Sequence, residues 1–259
     1  RVAVSGLGFT DTDSLGCRFV HWDNEISVGS AQFIDDNQVL CIVESEQIIS
    51  AGTTTLQLTV DGLTYSTEDI SFEFFAPPIL LSVSPSRGFV SGGSVVTLEG
   101  ANFFATTSLN CWFGTVSTRA FFVDASHVRC EVPAVSEPST VALGLSANEM
   151  DLGASTVDFL YVDDVNLQSV TPSIGTVEGG TSITITGAHL ASLGTEDLFC
   201  DFGTESLTDA TVATDDSVVC VTPSVDEATT LSLRLKTLFG SSTTALPFRV
   251  SQTPQVYFV

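Results

Sequence analysis

With 259 residues, 43% of them hydrophobic, and a mean hydropathy of +0.34, the chain can bury two or three cores and is not an acidic disordered tail. Its 8 Lys and Arg stand against 31 Asp and Glu, and the formal net charge of -23 repels phosphate backbones, so nucleic acid is excluded as a partner. No apolar run approaches the roughly 20 residues that span a bilayer, so no direct membrane insertion by this segment is expected.

The chain opens on RVAVSGLGF, where Val2 and Val4 alternate with Ala3 and Ser5 up to Gly6, the period of a half-buried strand. Alternation returns at Leu56, Leu58 and Val60, then at Phe72 and Phe74. The stretch FFAPPI follows, and its Pro77 and Pro78 predict an extended, semi-rigid join. Pro85 to Phe103 reads PSRGFVSGGSVVTLEGANF, a Pro-x-x-G loop, a Gly-Gly pair and a strand carrying Val96 and Leu98 to Gly100. Further strands carry Val141, Leu143 and Leu145, then Val157 and Phe159. After YVDDVN, Pro172 to Leu190 reads PSIGTVEGGTSITITGAHL, with Ile183 and Ile185. Leu231, Leu233 and Leu235 follow, then Leu246 and Phe248 around an outward Pro247 that only an edge strand or a bulge tolerates.

Pro85 and Pro172, Gly88 and Gly175, the two Gly-Gly pairs, and Gly100 and Gly187 are all separated by 87 residues (172 − 85). That period exceeds a solenoid unit and suits small all-β sandwiches, each around its own core, on short linkers that make a stiff rod. Aligning Gly6 with Gly100 places the first segment in the same frame, without the first strand and the Pro-x-x-G loop. The expected bounds are 1–76 for a repeat lacking its first strand, 77–164 and 165–253 for two complete repeats, and 254–259 for the start of another. The chain therefore reads as a piece of a longer array. The loop glycines Gly88, Gly92, Gly93, Gly175, Gly179 and Gly180 are expected to turn the chain at positive φ.

Each copy carries two cysteines in equivalent places, Cys17 and Cys41, Cys111 and Cys130, Cys200 and Cys220. A repeat that folds by itself selects one of the 15 pairings open to six cysteines, three bridges within the copies. In the chain-entropy model each bridge adds about 3 kcal/mol. Matched pairs favour oxidation, and oxidation favours an extracellular or cell-surface location.

The order of Pro-x-x-G, Gly-Gly, a strand closing on Gly, then CWFG at 111–114 or CDFG at 200–203, and CEVP at 130–133 or CVTP at 220–223, resembles the IPT/TIG domain. That is the immunoglobulin-like module of plexins, related receptors and some transcription factors. The resemblance spans nearly the whole chain and implies tandem immunoglobulin-like β-sandwiches of the E-set/IPT type in an elongated array. It supplies no catalytic residues. The first copy departs from the pattern, with CRFV at 17–20 and CIVE at 41–44, which bears on its loops rather than its fold.

No G-x-S-x-G, H-E-x-x-H or C-x-x-C occurs, and His21, His127 and His189 do not cluster, so neither an enzyme nor a cofactor is expected. Asp163, Asp164 and Asn166 in YVDDVN form a candidate calcium set, because a junction lined with oxygens can bind calcium and stiffen an array. A solvated acidic turn is the preferred reading, since FFAPPI, the corresponding linker, has no carboxylate. The expected function is a non-catalytic extracellular structural or adhesive array, a fragment of a cell-surface or fibre protein that works by spacing and protein contact. The alternatives are the stalk of a plexin-like receptor ectodomain, and carbohydrate-binding or enzyme-accessory domains. Proteins are the expected partners, including other copies of the chain in a fibre, through exposed edges and the boundary aromatics Phe75, Tyr161 and Tyr257.

Overall fold

The structure, a computed structural model, describes residues 1–21, 26–43, 51–68, 70–148, 152–194 and 197–257; Glu44 of the CIVE stretch lies outside them. The chain forms two compact units, Arg1–Pro77 and Pro78–Val259.

The first unit contains β1 (Val2–Ser5), β2 (Gly16–His21), β3 (Ile26–Asp35), β4 (Gln38–Ile42), β5 (Gly52–Thr59) and β6 (Ile70–Phe74). They join in the order β1-β4-β3-β2-β5-β6. β3 folds this path into two layers, because residues 26–30 pair with β2 and residues 30–35 with β4. The alternating positions Val4, Phe19, Leu56 and Leu58 are buried between the layers. Phe72 and Phe74 close on Phe19 with ring centroids 5.2 and 5.0 Å away.

The second unit holds both complete copies. One comprises β7 (Ile79–Ser84), β8 (Arg87–Phe89), β9 (Val95–Ala101), β10 (Asn110–Phe113), β11 (Val116–Asp124), β12 (His127–Glu131), β13 (Thr140–Ser146) and β14 (Leu152–Val162). The other comprises β15 (Asn166–Thr171), β16 (Ile174–Thr176), β17 (Ser182–Ala188), β18 (Phe199–Asp201), β19 (Leu207–Thr214), β20 (Ser217–Val221), β21 (Thr230–Thr237), β22 (Gly240–Ser241) and β23 (Leu246–Ser251). The strand paths are β7-β9-β12-β11-β10-β13-β14-β8 and β15-β17-β20-β19-β18-β21-β23-β16, with β22 on β21. One path is thus repeated, and removing its two outermost strands leaves the path of the first unit.

β11 and β19 cross between layers as β3 does, each with a bulge near its end. Among the described residues only β8 and β16 pair in parallel, with β14 and β23 respectively. Since β16 engages only residues 249–251, β23 has a neighbour on one side alone at Pro247, where the missing N–H costs no ladder bond. Alternation buries Leu98, Leu143 and Phe159 in one copy and Ile185, Leu233 and Phe248 in the other. Cys17 pairs with Cys41, Cys111 with Cys130 and Cys200 with Cys220, at Cα separations of 6.0, 6.2 and 6.5 Å. The latter two bridges tie β10 to β12 and β18 to β20, strands of opposite layers.

Two expectations are corrected. Gly92, Gly93, Gly179 and Gly180 have φ of 69°, 81°, 72° and 79°, but Gly88 and Gly175 do not turn at positive φ. They lie in β8 and β16, where a Cβ would sit 3.0 Å from Phe159 Cζ and 3.1 Å from Phe248 Cζ, so the need there is for close approach. Nor does each complete copy close around a core of its own alone, because Phe89 and Val162 of the second lie in the same apolar cluster as Val165, Leu167, Leu190, Leu193 and Phe239.

Candidate functional site at the junction of the second and third repeats

The junction is built by three segments. The Pro-x-x-G loop and β8 bring Arg87 and Phe89, the YVDDVN linker brings Val162 to Asn166, and the third copy contributes a 3-10 turn (Leu190–Leu193) and the β21–β22 hairpin with Leu238 and Phe239. Hydrophobic burial drives the contact: Phe89 and Phe239 are each only 5% exposed, with ring centroids 5.1 Å apart at 59°. Gly240 completes the fit, since a Cβ there would lie 2.9 Å from the Phe89 ring.

Polar groups fasten the linker to both copies. Ser91 Oγ donates to Asp164 Oδ1 at 2.7 Å on the second-copy side. On the third-copy side, the backbone N–H of Thr243 donates to the Val165 carbonyl at 3.0 Å, and Thr243 Oγ1 lies 2.7 Å from Asn166 Oδ1. His189 Nδ1 lies 3.4 Å from Asp163 Oδ2, both about half exposed, so this pair adds little. The three candidate calcium ligands are each engaged by a different neighbour. Among the described residues, no group of three or more His, Cys, Asp or Glu side chains gathers to hold a metal.

The three boundary aromatics separate. Phe75 is 48% exposed and Tyr257 78% exposed. Tyr161 is a correction: it is fully buried, with its ring against Phe159 and Phe113 and its hydroxyl donating to the Pro133 carbonyl at 3.1 Å. Burial pushes its phenol up to about 12. It cannot serve as a contact aromatic, because it shares the parity of Phe159 on β14 and points into the core.

The motifs of the repeat meet beside it. Gly92 presses against the backbone after Cys-x-x-Pro, where a Cβ would lie 2.6 Å from Ala134 N, and Gly93 N–H donates to the Val132 carbonyl at 2.9 Å. In the third copy Gly179 and Pro223 stand in the same relation. The Gly-Gly pair and the second cysteine motif therefore form one structural clasp.

Sequence reasoning missed Arg87, Phe89 and Phe239. A signal was present in the comparison of copies: Phe89 faces Val162 across the parallel pair, whereas Thr176 faces Ser251 at the equivalent place. An apolar pair in only one copy marks a surface that one copy covers.

The IPT/TIG domain family model matches residues 78–161 and 166–250. The chain is 31% identical over 156 residues to plexin-A2 of Mus musculus, a match covering 58% of this chain and 8% of that protein. To plexin A3 of Danio rerio it is 23% identical over 202 residues, covering 76% of this chain and 10% of that protein. The solved full extracellular region of plexin A4 aligns with 97% of this chain and 27% of its own length, at 13% identity and a TM-score of 0.48. The chain thus spans about a tenth of the length of the curated relatives it matches.

Proposed function

The chain belongs to the IPT/TIG domain family, and from that premise we propose that it is a non-catalytic segment of the extracellular stalk of a plexin-like receptor, in which the second and third copies act as a stiff spacer. The observation that carries this reading is the Phe89–Phe239 junction, which merges the second copy's end into the third copy's core. Two domains joined by a polar linker alone would move independently. Here apolar burial and linker bonds to both sides oppose that motion. The similarity to plexin-A2 favours a receptor stalk over a fibre.

In this reading residues 1–76 are a further IPT-type repeat, and 77–164 and 165–253 are two complete repeats. The location is extracellular or at the cell surface, consistent with a buried disulfide in each copy. The partners are proteins. A structural or adhesive role is the second reading, favoured by the exposed run Phe121, Phe122 and Val123 on β11, where, among the described residues, 121–124 pair with β12 alone.

The test is to measure residual dipolar couplings of the whole chain and to fit the second and third copies separately. One shared alignment tensor is expected. Two tensors of different magnitude would show a hinged pair and defeat the spacer reading, whereas concentration-dependent mass that vanishes in Phe121→Thr would favour the adhesive one.

A further inference from the structure

Beside the aromatic contact, the two copies enclose an open cleft of about 470 Å³. Its walls are the loop from Val83 to Arg87 on one side, and Leu193, Gly194, Asp197, Leu238 and Phe239 on the other. The cleft therefore exists only where both copies are present, and its size falls in the range of a small binding site.

Arg87 is the cation of this cleft. Its guanidinium reaches across the junction, with Nη1 3.1 Å from where a Cβ on Gly194 would lie, and Gly194, at φ +77°, leaves that space open. In a chain with 31 carboxylates, no acidic side chain among the described residues forms an ion pair with Arg87. The architecture does not require an arginine there, since Ile174 takes the same place in the third copy, paired with Arg249 as Arg87 pairs with Leu160. Arg87 is half-buried as a residue, and its guanidinium offers a planar fork of N–H donors matched to a carboxylate.

We propose that this cleft binds a segment of a protein partner that presents a single Glu or Asp carboxylate to Arg87. Two features select a peptide over a polyanion such as a sulfated glycan. Asp197 lines the same cleft, so it would repel a second negative group and accept a hydrogen bond from a peptide N–H. The net charge of -23 repels a polymer carrying a charge at every unit, while a single carboxylate meets the local cation. Leu238, 66% exposed at the rim, gives the residue flanking that carboxylate an apolar surface.

The test uses the whole chain and a blocked Gly-Glu-Gly peptide, with Gly-Gln-Gly as control, followed by NMR of the Arg87 Nε–H and the Gly194 and Phe239 amides. Saturable shifts with the Glu peptide are expected at these three groups, with binding weaker by about tenfold or more for Gly-Gln-Gly and for Arg87→Ile. Arg87→Ile carries the residue that the third copy has, so its amide spectrum is expected to stay dispersed, and the wild-type shifts are read independently of any variant. Absence of shifts in the wild type, equal shifts with both peptides, or stronger binding of a heparin oligosaccharide at the same groups would overturn the proposal.

Discussion

The Phe89 ring of the second repeat lies against the Phe239 ring of the third with centroids 5.1 Å apart, so a side chain from one sandwich helps fill the apolar core of the next. Phe89→Ala or Phe239→Ala is expected to cost about 3 to 5 kcal/mol where each site is packed on all sides. The double variant should lose less than the sum, because the two rings share one contact. Denaturant unfolding measures the cost, and a second, separate transition in either variant would show the two copies uncoupling.

Leu143 and Leu233 occupy equivalent inner positions, both wholly buried. Truncation of either to Ala should destabilise its sandwich by about 2 to 5 kcal/mol. Near-neutral values at both would mean that the strand faces are reversed.

Gly92 and Gly93 look interchangeable in sequence and are not. Both have positive φ, but a Cβ on Gly93 meets nothing within 4 Å whereas one on Gly92 strikes the backbone of Pro133 and Ala134. Gly93→Ala is expected to cost about 1 to 2 kcal/mol from backbone strain alone. Gly92→Ala should cost about 3 kcal/mol or more, since strain and overpacking combine. Equal melting temperatures for the two variants would remove the clasp from the account.

The Tyr161 phenol ionises only at about 12, above its ordinary 10.0, because burial disfavours the phenolate. A folded pKa above the unfolded one means that its contribution to stability is complete below pH 10 and is lost as pH rises through about 12. Near-ultraviolet titration of the 3 tyrosines should show a late step that Tyr161→Phe removes. A titration in which that variant leaves the late step in place would refute the assignment.

Asp61 shifts the opposite way. Backbone N–H groups of Thr64 and Leu63, at 2.7 and 2.8 Å, and the Thr59 hydroxyl, at 3.0 Å, donate to its Oδ1 and hold the carboxyl at about 2 instead of 3.8. A depressed folded pKa contributes stability above pH 3.8 that is lost as pH falls through about 2. Carboxyl carbon shifts of Asp61 should titrate near 2 in the folded chain, and Asp61→Ala should free the amides of Leu63 and Thr64 to exchange faster with solvent.

Much of this architecture is legible in one dimension because a strand alternates with period two. The parity of Leu143 or Phe248 against its neighbours fixes its face, and an interval of 87 residues (172 − 85) fixes the copies. Tyr161, two residues beyond Phe159 on β14, follows the same parity, and only its position next to the linker gives it the look of a boundary residue. What the tertiary structure alone decided depends on atoms brought together from distant positions. Gly88 is small because of Phe159, Gly92 because of Pro133, and Gly240 because of Phe89, three close approaches that no local pattern records. The merged core and the Arg87 cleft belong to the same class. Each arises where the surface of one repeat meets a different surface of the next, so its physics resides in the contact and not in the pattern that the repeats share.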